Sequence, residues 1–148
     1  MKLKRYNSLI NMSQDCIFCK IVSGQIPAYT LFEDEKIIVF LDAYPVSFGH
    51  ALFVPKKHYK TIDDVPEEEI EFLKKLPNIV KRIREITNAT GINIWQNNGK
   101  DAGQIIPHVH FHIVPRYTND KLFEFPVQKQ LEENEARDIV EKFKQSDI

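Results

Sequence analysis

Apolar residues along this chain change period several times, and each change marks an element. Residues 29–33 and 36–41 are rich in β-branched and aromatic side chains and are separated by Asp34 and Glu35, a pattern that predicts a β-hairpin. Residues 51–55 form a short apolar run ended by proline, which predicts a third strand buried on both faces. Over residues 66–87 the spacing of Ile70, Leu73, Leu76, Val80, Ile83 and Ile86 predicts one main helix, with Pro66 and three glutamates at its start and a kink at Pro77. A strand through Ile92, Ile94 and Gln96 follows Gly91, and a last strand is predicted over residues 108–114, bracketed by Pro107 and Pro115. Before all of these, residues 16–21 carry a short helical stripe that Asp15 can cap and that Gly24 and Pro27 stop.

Consecutive strands without regular intervening helices favour an α+β fold. The expectation is an antiparallel meander sheet with one main helix packed on a face and a short N-terminal helix. The chain divides into a flexible arm over residues 1–14, a folded domain over 15–117 and an extension over 118–148. In that extension residues 127–143 have the pattern of a charged amphipathic helix, which either extends a dimer surface or covers the site.

A length of 148 residues suits one domain. Twenty basic against 21 acidic side chains give a formal net charge of -1, so no global field recruits nucleic acid or an anionic membrane, and any phosphate chemistry must be local. The apolar runs fall far short of the roughly 20 residues that cross a bilayer. The first residues lack an apolar signal core and a small-residue cleavage site. The two cysteines, Cys16 and Cys19, are separated by two residues, which suggests a metal or redox site and a cytoplasmic location.

Three of the five histidines alternate in the last predicted strand. His108, His110 and His112 therefore share one face there, while Val109, Phe111 and Ile113 enter the core. Imidazoles spaced about 6.5 to 7 Å along such a face suit a tetrahedral phosphate. A neutral ring can attack phosphorus while its neighbours donate hydrogen bonds. The preceding loop, residues 97–104, carries two glycines and two asparagines, so its backbone N–H groups can approach an anion. A three-histidine metal centre is the alternative for the row, and an inert thiol pair, a redox motif or structural zinc are the alternatives for Cys16 and Cys19.

Several further stretches accompany the histidines in order: DCIFCKI from Asp15, Ile26–Pro27, FLD at 40–42, GHALFVPKKH at 49–58 and AGQ at 102–104. Together with His108, His110, His112, Ile113 and Val114 they make the chain resemble the histidine triad family over about residues 15–117. The resemblance implies that His110 attacks the α-phosphorus of a nucleotide conjugate and forms a nucleotidyl-histidine intermediate without a catalytic metal. His112 and His50 would be its phosphate-binding or proton-handling partners. Asn97, Gly103 and Gln104 would line the phosphate loop, Asp42 would hold the ribose, and Ile17, Phe18, Ile21, Phe40 and Leu52 would line a pocket favouring purines. For these apolar residues, ordinary core packing is the competing reading.

Zinc-containing members of that family imply a structural ion on Cys16, Cys19, His58 and His108, and the family also implies a homodimer formed by extending the sheet. Retention of His112 argues against the transferase branch. One departure stands out: Ile105 occupies a position where relatives carry Ser or Thr, and its side chain can neither donate nor accept a hydrogen bond. The expected activity is hydrolysis of nucleoside phosphoramidates or dinucleoside polyphosphates, and the rival reading is a nucleotide-binding adaptor with weak turnover.

Overall fold

A computed structural model of the protein describes residues 15–122 and 126–147, and the arm expected over residues 1–14 lies outside them. Five strands form one antiparallel sheet: β1 Thr30–Glu33, β2 Ile37–Leu41, β3 Ala51–Pro55, β4 Gly91–Trp95 and β5 Phe111–Arg116. The order is β1-β2-β3-β5-β4, so the chain meanders through the first three strands and then inserts its last strand beside β3. The α+β class and the antiparallel sheet are as expected from the sequence.

The hairpin closes because Asp34 Oδ1 accepts from the backbone N–H groups of Lys36 and Ile37 at 2.8 and 2.9 Å. Strands β2 and β3 are buried on both faces. Ile38, Phe40, Leu52 and Val54 pack with Phe18, Cys19 and Val22 of the short helix α1, Ile17–Val22. On the opposite face Ile37, Val39, Ala51 and Phe53 pack with Ile113 and with Phe72, Ile79 and Ile83 of the long helical segment. The sheet is thus the middle of three layers, with β3 at its centre and β5 beside it.

Several local expectations are corrected. Residue 16 rather than Asp15 caps α1: the Cys16 side chain accepts from the Cys19 N–H, because that thiol turns inward. The main helix is two pieces, a 3-10 segment Glu67–Lys75 and α2 Leu76–Thr87. Pro77 does not kink a continuous helix; it sits in the first turn of α2, where its missing N–H would have no intrahelical partner. A 3-10 segment has three residues per turn, so the apolar stripe changes phase. Phe72, Ile79 and Ile83 are buried, while Ile70 and Ile86 face solvent.

The last strand begins at Phe111, not at 108. His108 N–H bonds to the Ile106 carbonyl and Val109 N–H to the Tyr59 carbonyl, so this stretch is anchored outside the ladder. Pro115 lies inside β5, opposite Ile92 of β4. It is tolerated because β3 pairs with β5 only as far as Ile113. The C-terminal helix α3, Glu133–Gln145, starts later than residue 127 and leaves Ile139, Val140 and Phe143 exposed.

Candidate functional site

The N-terminus of α1 and the approach to β5 bring together four donors. Cys16 and Cys19 lie one helical turn apart, His58 follows β3, and His108 precedes β5; their four ligand atoms lie within 4.8 Å of one another. Nδ1 of His108 is 3.4 Å from Cys16 Sγ and 3.6 Å from Cys19 Sγ, Nδ1 of His58 is 3.3 Å from Cys19 Sγ, and the two Nδ1 atoms are 3.2 Å apart. Tetrahedral ligation with metal–sulfur bonds of about 2.3 Å and metal–nitrogen bonds of about 2.05 Å gives edges of about 3.5 Å for S···N and about 3.3 Å for N···N.

The measured separations match those edges. Nε2 of His108 donates to the Pro55 carbonyl at 2.8 Å, so its Nδ1 holds the lone pair and faces the thiols. Burial pushes the His108 pKa down to about 4, which keeps the ring neutral and able to ligate. These residues could hold a metal ion. Cys16, Cys19 and His108 are buried, so an ion there would sit in a closed site.

Beside this cluster the other imidazoles form a second constellation. Strand pairing places Leu52 opposite His112, and His50 just before β3 then reaches the His112 ring. The resulting distance from His50 Nε2 to His112 Nδ1 is 2.9 Å. Protons in this chain have a direction. The Val46 N–H donates to His50 Nδ1 at 3.1 Å, so the neutral His50 ring carries its hydrogen on Nε2 and donates to His112 Nδ1. His112 in turn carries its hydrogen on Nε2. Asp42 Oδ2 lies 3.5 Å from His50 Nε2, and Asp42 Oδ1 accepts from the Tyr44 N–H at 2.8 Å.

His110 has the opposite arrangement. Its Nδ1–H donates to the His108 carbonyl at 2.6 Å, leaving Nε2 with the free lone pair. Burial, as the largest cause, lowers the pKa of His110 and of His50, and it pushes His112 down to about 4 with help from the neighbouring His110 and His50. Three neutral rings result, one presenting a lone pair and one a donor. The His110 and His112 centroids are 4.9 Å apart.

Phe18 meets the His110 ring edge-on at 5.0 Å and Phe40 at 5.6 Å, and both phenylalanines are buried in the core cluster that Ile21 flanks. Leu52 is buried in that same cluster, while Ile17 is 41% exposed. Along the loop of residues 97–104, Gly103 adopts φ +80°, a conformation that side chains disfavour, and its carbonyl accepts from Asn97 Nδ2 at 3.4 Å. Gln104 is used at both ends: Oε1 accepts from the Gly99 N–H, and Nε2 donates to the carbonyls of Lys60 and Ile106. Its side chain therefore fastens the loop. One residue escaped sequence reasoning. Trp95, at the end of β4, stacks on His112 with centroids 5.2 Å apart and planes 29° apart; its only sequence signal was a lone tryptophan closing a strand before a glycine-rich loop.

A family model described as "HIT domain" matches residues 23–119, well over half of the chain. The chain belongs to the HIT family. It is 43% identical over 101 residues to "Adenosine 5'-monophosphoramidase HNT1" of Saccharomyces cerevisiae, covering 68% of this chain and 62% of that one. Among solved structures, this HIT domain matches SMU.412c from Streptococcus mutans UA159 with a TM-score of 0.86 and 32% identity, over 90% of this chain and 86% of that one. It also matches a zinc-bound histidine triad family protein from Mycobacterium smegmatis with a TM-score of 0.68 and 38% identity, over 78% of this chain and 84% of that one. No helix among the described residues is long and apolar enough to cross a membrane.

Proposed function

We propose that this HIT protein hydrolyses purine nucleoside 5′-phosphate conjugates, phosphoramidates or dinucleoside polyphosphates, by covalent catalysis at His110. The observation that carries the reading is the free lone pair on His110 Nε2, fixed by the hydrogen bond from Nδ1 to the His108 carbonyl. Nε2 attacks the α-phosphorus, and the bond to the leaving group breaks with the electron pair, after which that group takes up a proton. Water then attacks the nucleotidyl-histidine, loses its proton and frees the nucleoside monophosphate. The Nε2–H of His112, held in place by His50, donates to the phosphoryl oxygens as their charge grows. The named monophosphoramidase activity of the yeast relative supports this class of reaction.

On the same reading Asp42 holds the ribose, the 97–104 loop with Asn97, Gly103 and Gln104 surrounds the phosphates, and Phe18, Ile21 and Phe40 flank the base. The four-donor cluster would hold zinc, as the sulfur and nitrogen separations and the zinc-bound M. smegmatis neighbour support. Zinc there is structural, joining α1 to the segment that carries the triad. The protein acts as a cytoplasmic homodimer whose sheet is extended through β4, an edge strand of this sheet.

Incubation with adenosine 5′-phosphoramidate, diadenosine polyphosphates and nucleotide sugars, followed by chromatography, tests the activity. His110→Ala should abolish turnover and leave nucleotide binding nearly intact; wild-type rates in that variant would defeat the mechanism. One observation favours a second reading, a nucleotide-binding adaptor: Ile105 is 88% exposed and offers no polar group to a departing amine or phosphate. Binding without turnover across the panel would select it.

A further inference from the structure

We propose that Trp95 is a positioning residue for the His50–His112 pair, one that holds the plane of the His112 ring so that the hydrogen bond from His50 sets which nitrogen faces the reacting phosphate. The inference rests on the hydrolase reading above, and it concerns a side chain to which that reading gives no part.

Three observations converge on the indole. In the β4–β5 ladder Trp95 and His112 are direct register partners, so their side chains leave the sheet on the same face. Their rings are stacked, with centroids 5.2 Å apart and an interplanar angle of 29°. The indole also meets His50, at 6.1 Å and 57°. One flat side chain thus contacts both rings of the hydrogen-bonded pair, whose centroids are 5.2 Å apart. His112 also meets His110, at 4.9 Å. The His112 ring thus touches the indole, His50 and His110.

The indole matters because an imidazole turns readily about its last torsion. The outer torsion of histidine is broad and roughly two-fold. A half-turn of His112 exchanges Nδ1 with a carbon, which breaks the 2.9 Å bond from His50 Nε2 and removes the reason for the hydrogen to reside on His112 Nε2. The hydrogen bond from His50 alone fixes one point of the ring. A parallel indole face fixes its plane, and the two together leave one orientation and one tautomer. The charged and titratable groups facing His112 are His50, His110 and Asp42, and none of them supplies a flat apolar face.

Two substitutions separate the flat surface from mere bulk. Trp95→Phe retains an aromatic face in the ladder, whereas Trp95→Leu retains apolar volume without one. We expect Trp95→Phe to keep kcat within about twofold of wild type, and Trp95→Leu to lose about tenfold in kcat with KM little changed, since misalignment of a reacting group by fractions of an ångström acts on the transition state. Thermal melting of both variants accompanies the kinetics. Long-range nitrogen–proton correlation spectra of 15N-histidine-labelled protein read the tautomer directly and need no turnover. Wild type and Trp95→Phe should show His112 as a single Nε2–H form, and Trp95→Leu an averaged pattern. A single Nε2–H form in Trp95→Leu, or wild-type kcat in that variant, overturns the proposal. Absence of hydrolysis by the wild type would instead strike the hydrolase reading, and the spectra would still decide the part played by Trp95.

Discussion

Stripping metal from the Cys16, Cys19, His58 and His108 cluster is a perturbation that reaches both stability and chemistry. The four S···N and N···N separations given above match tetrahedral edges, so the folded chain could take up an ion with little rearrangement. At free zinc a thousandfold above its dissociation constant, ligand linkage stabilises the folded state by about 4 kcal/mol. A domain of 148 residues shifts its Tm by roughly 2–4 °C per kcal/mol, so removal should lower Tm by roughly 8–16 °C. Catalysis should fall as well, because His108, which would ligate through its ring, also accepts the His110 Nδ1–H through its carbonyl. Weakening one such hydrogen bond costs about 1 kcal/mol, or roughly fivefold in kcat. The assay is dialysis against a thiol-competent chelator, elemental analysis, thermal melting and kinetics, each repeated after zinc is restored. A sample shown to be free of metal that melts within about 2 °C of the untreated protein would refute the reasoning, since that shift amounts to less than about 1 kcal/mol.

Three other outcomes follow from burial and geometry. Because burial lowers the pKa of His110 and holds His112 near 4, both rings stay neutral below the ordinary histidine value of 6.5. kcat/KM should therefore stay level as pH falls from 8 through 6.5, with its acid limb below that value; a limb centred at or above 6.5 contradicts the burial argument. The stability linked to His112 has the same sign, being complete above 6.5 and lost as pH falls toward about 4, where only the unfolded chain takes up the proton. Gly49→Ala should destabilise the fold by about 2–3 kcal/mol in urea titrations, from a left-handed conformation and overpacking together. At φ +83° the new Cβ would lie 2.5 Å from Thr87 Cγ2, so adding Thr87→Ser should recover part of that loss; additive effects of the two changes would count against the clash.

Local pattern sufficed where an element obeys one period and is closed by a side chain of its own. Strand β3 is read residue for residue from an apolar run ended by proline, and the first hairpin from Asp34 and Glu35 between two β-rich stretches. The long helical segment was legible as an element but not in its phase, because nothing in the spacing of Ile70 or Ile86 reveals three-residue turns up to Lys75. The triad was visible as three alternating histidines, yet the proton order within it depends on Val46, Pro55 and the His108 carbonyl. Those are backbone groups without a sequence signature. His50 and His112 lie 62 positions apart and meet through the β3–β5 register, a tertiary event that only the family resemblance could anticipate. Trp95 stayed hidden for the same reason, since its significance lies in its cross-strand partner.

The chain contains a single tryptophan, and that indole leans on two imidazoles of the candidate site. Its near-ultraviolet emission, excited at a wavelength that tyrosine does not absorb, therefore originates at one place. The protein carries an optical reporter at its own cleft, so occupancy and ring protonation can be followed by light without attaching a dye.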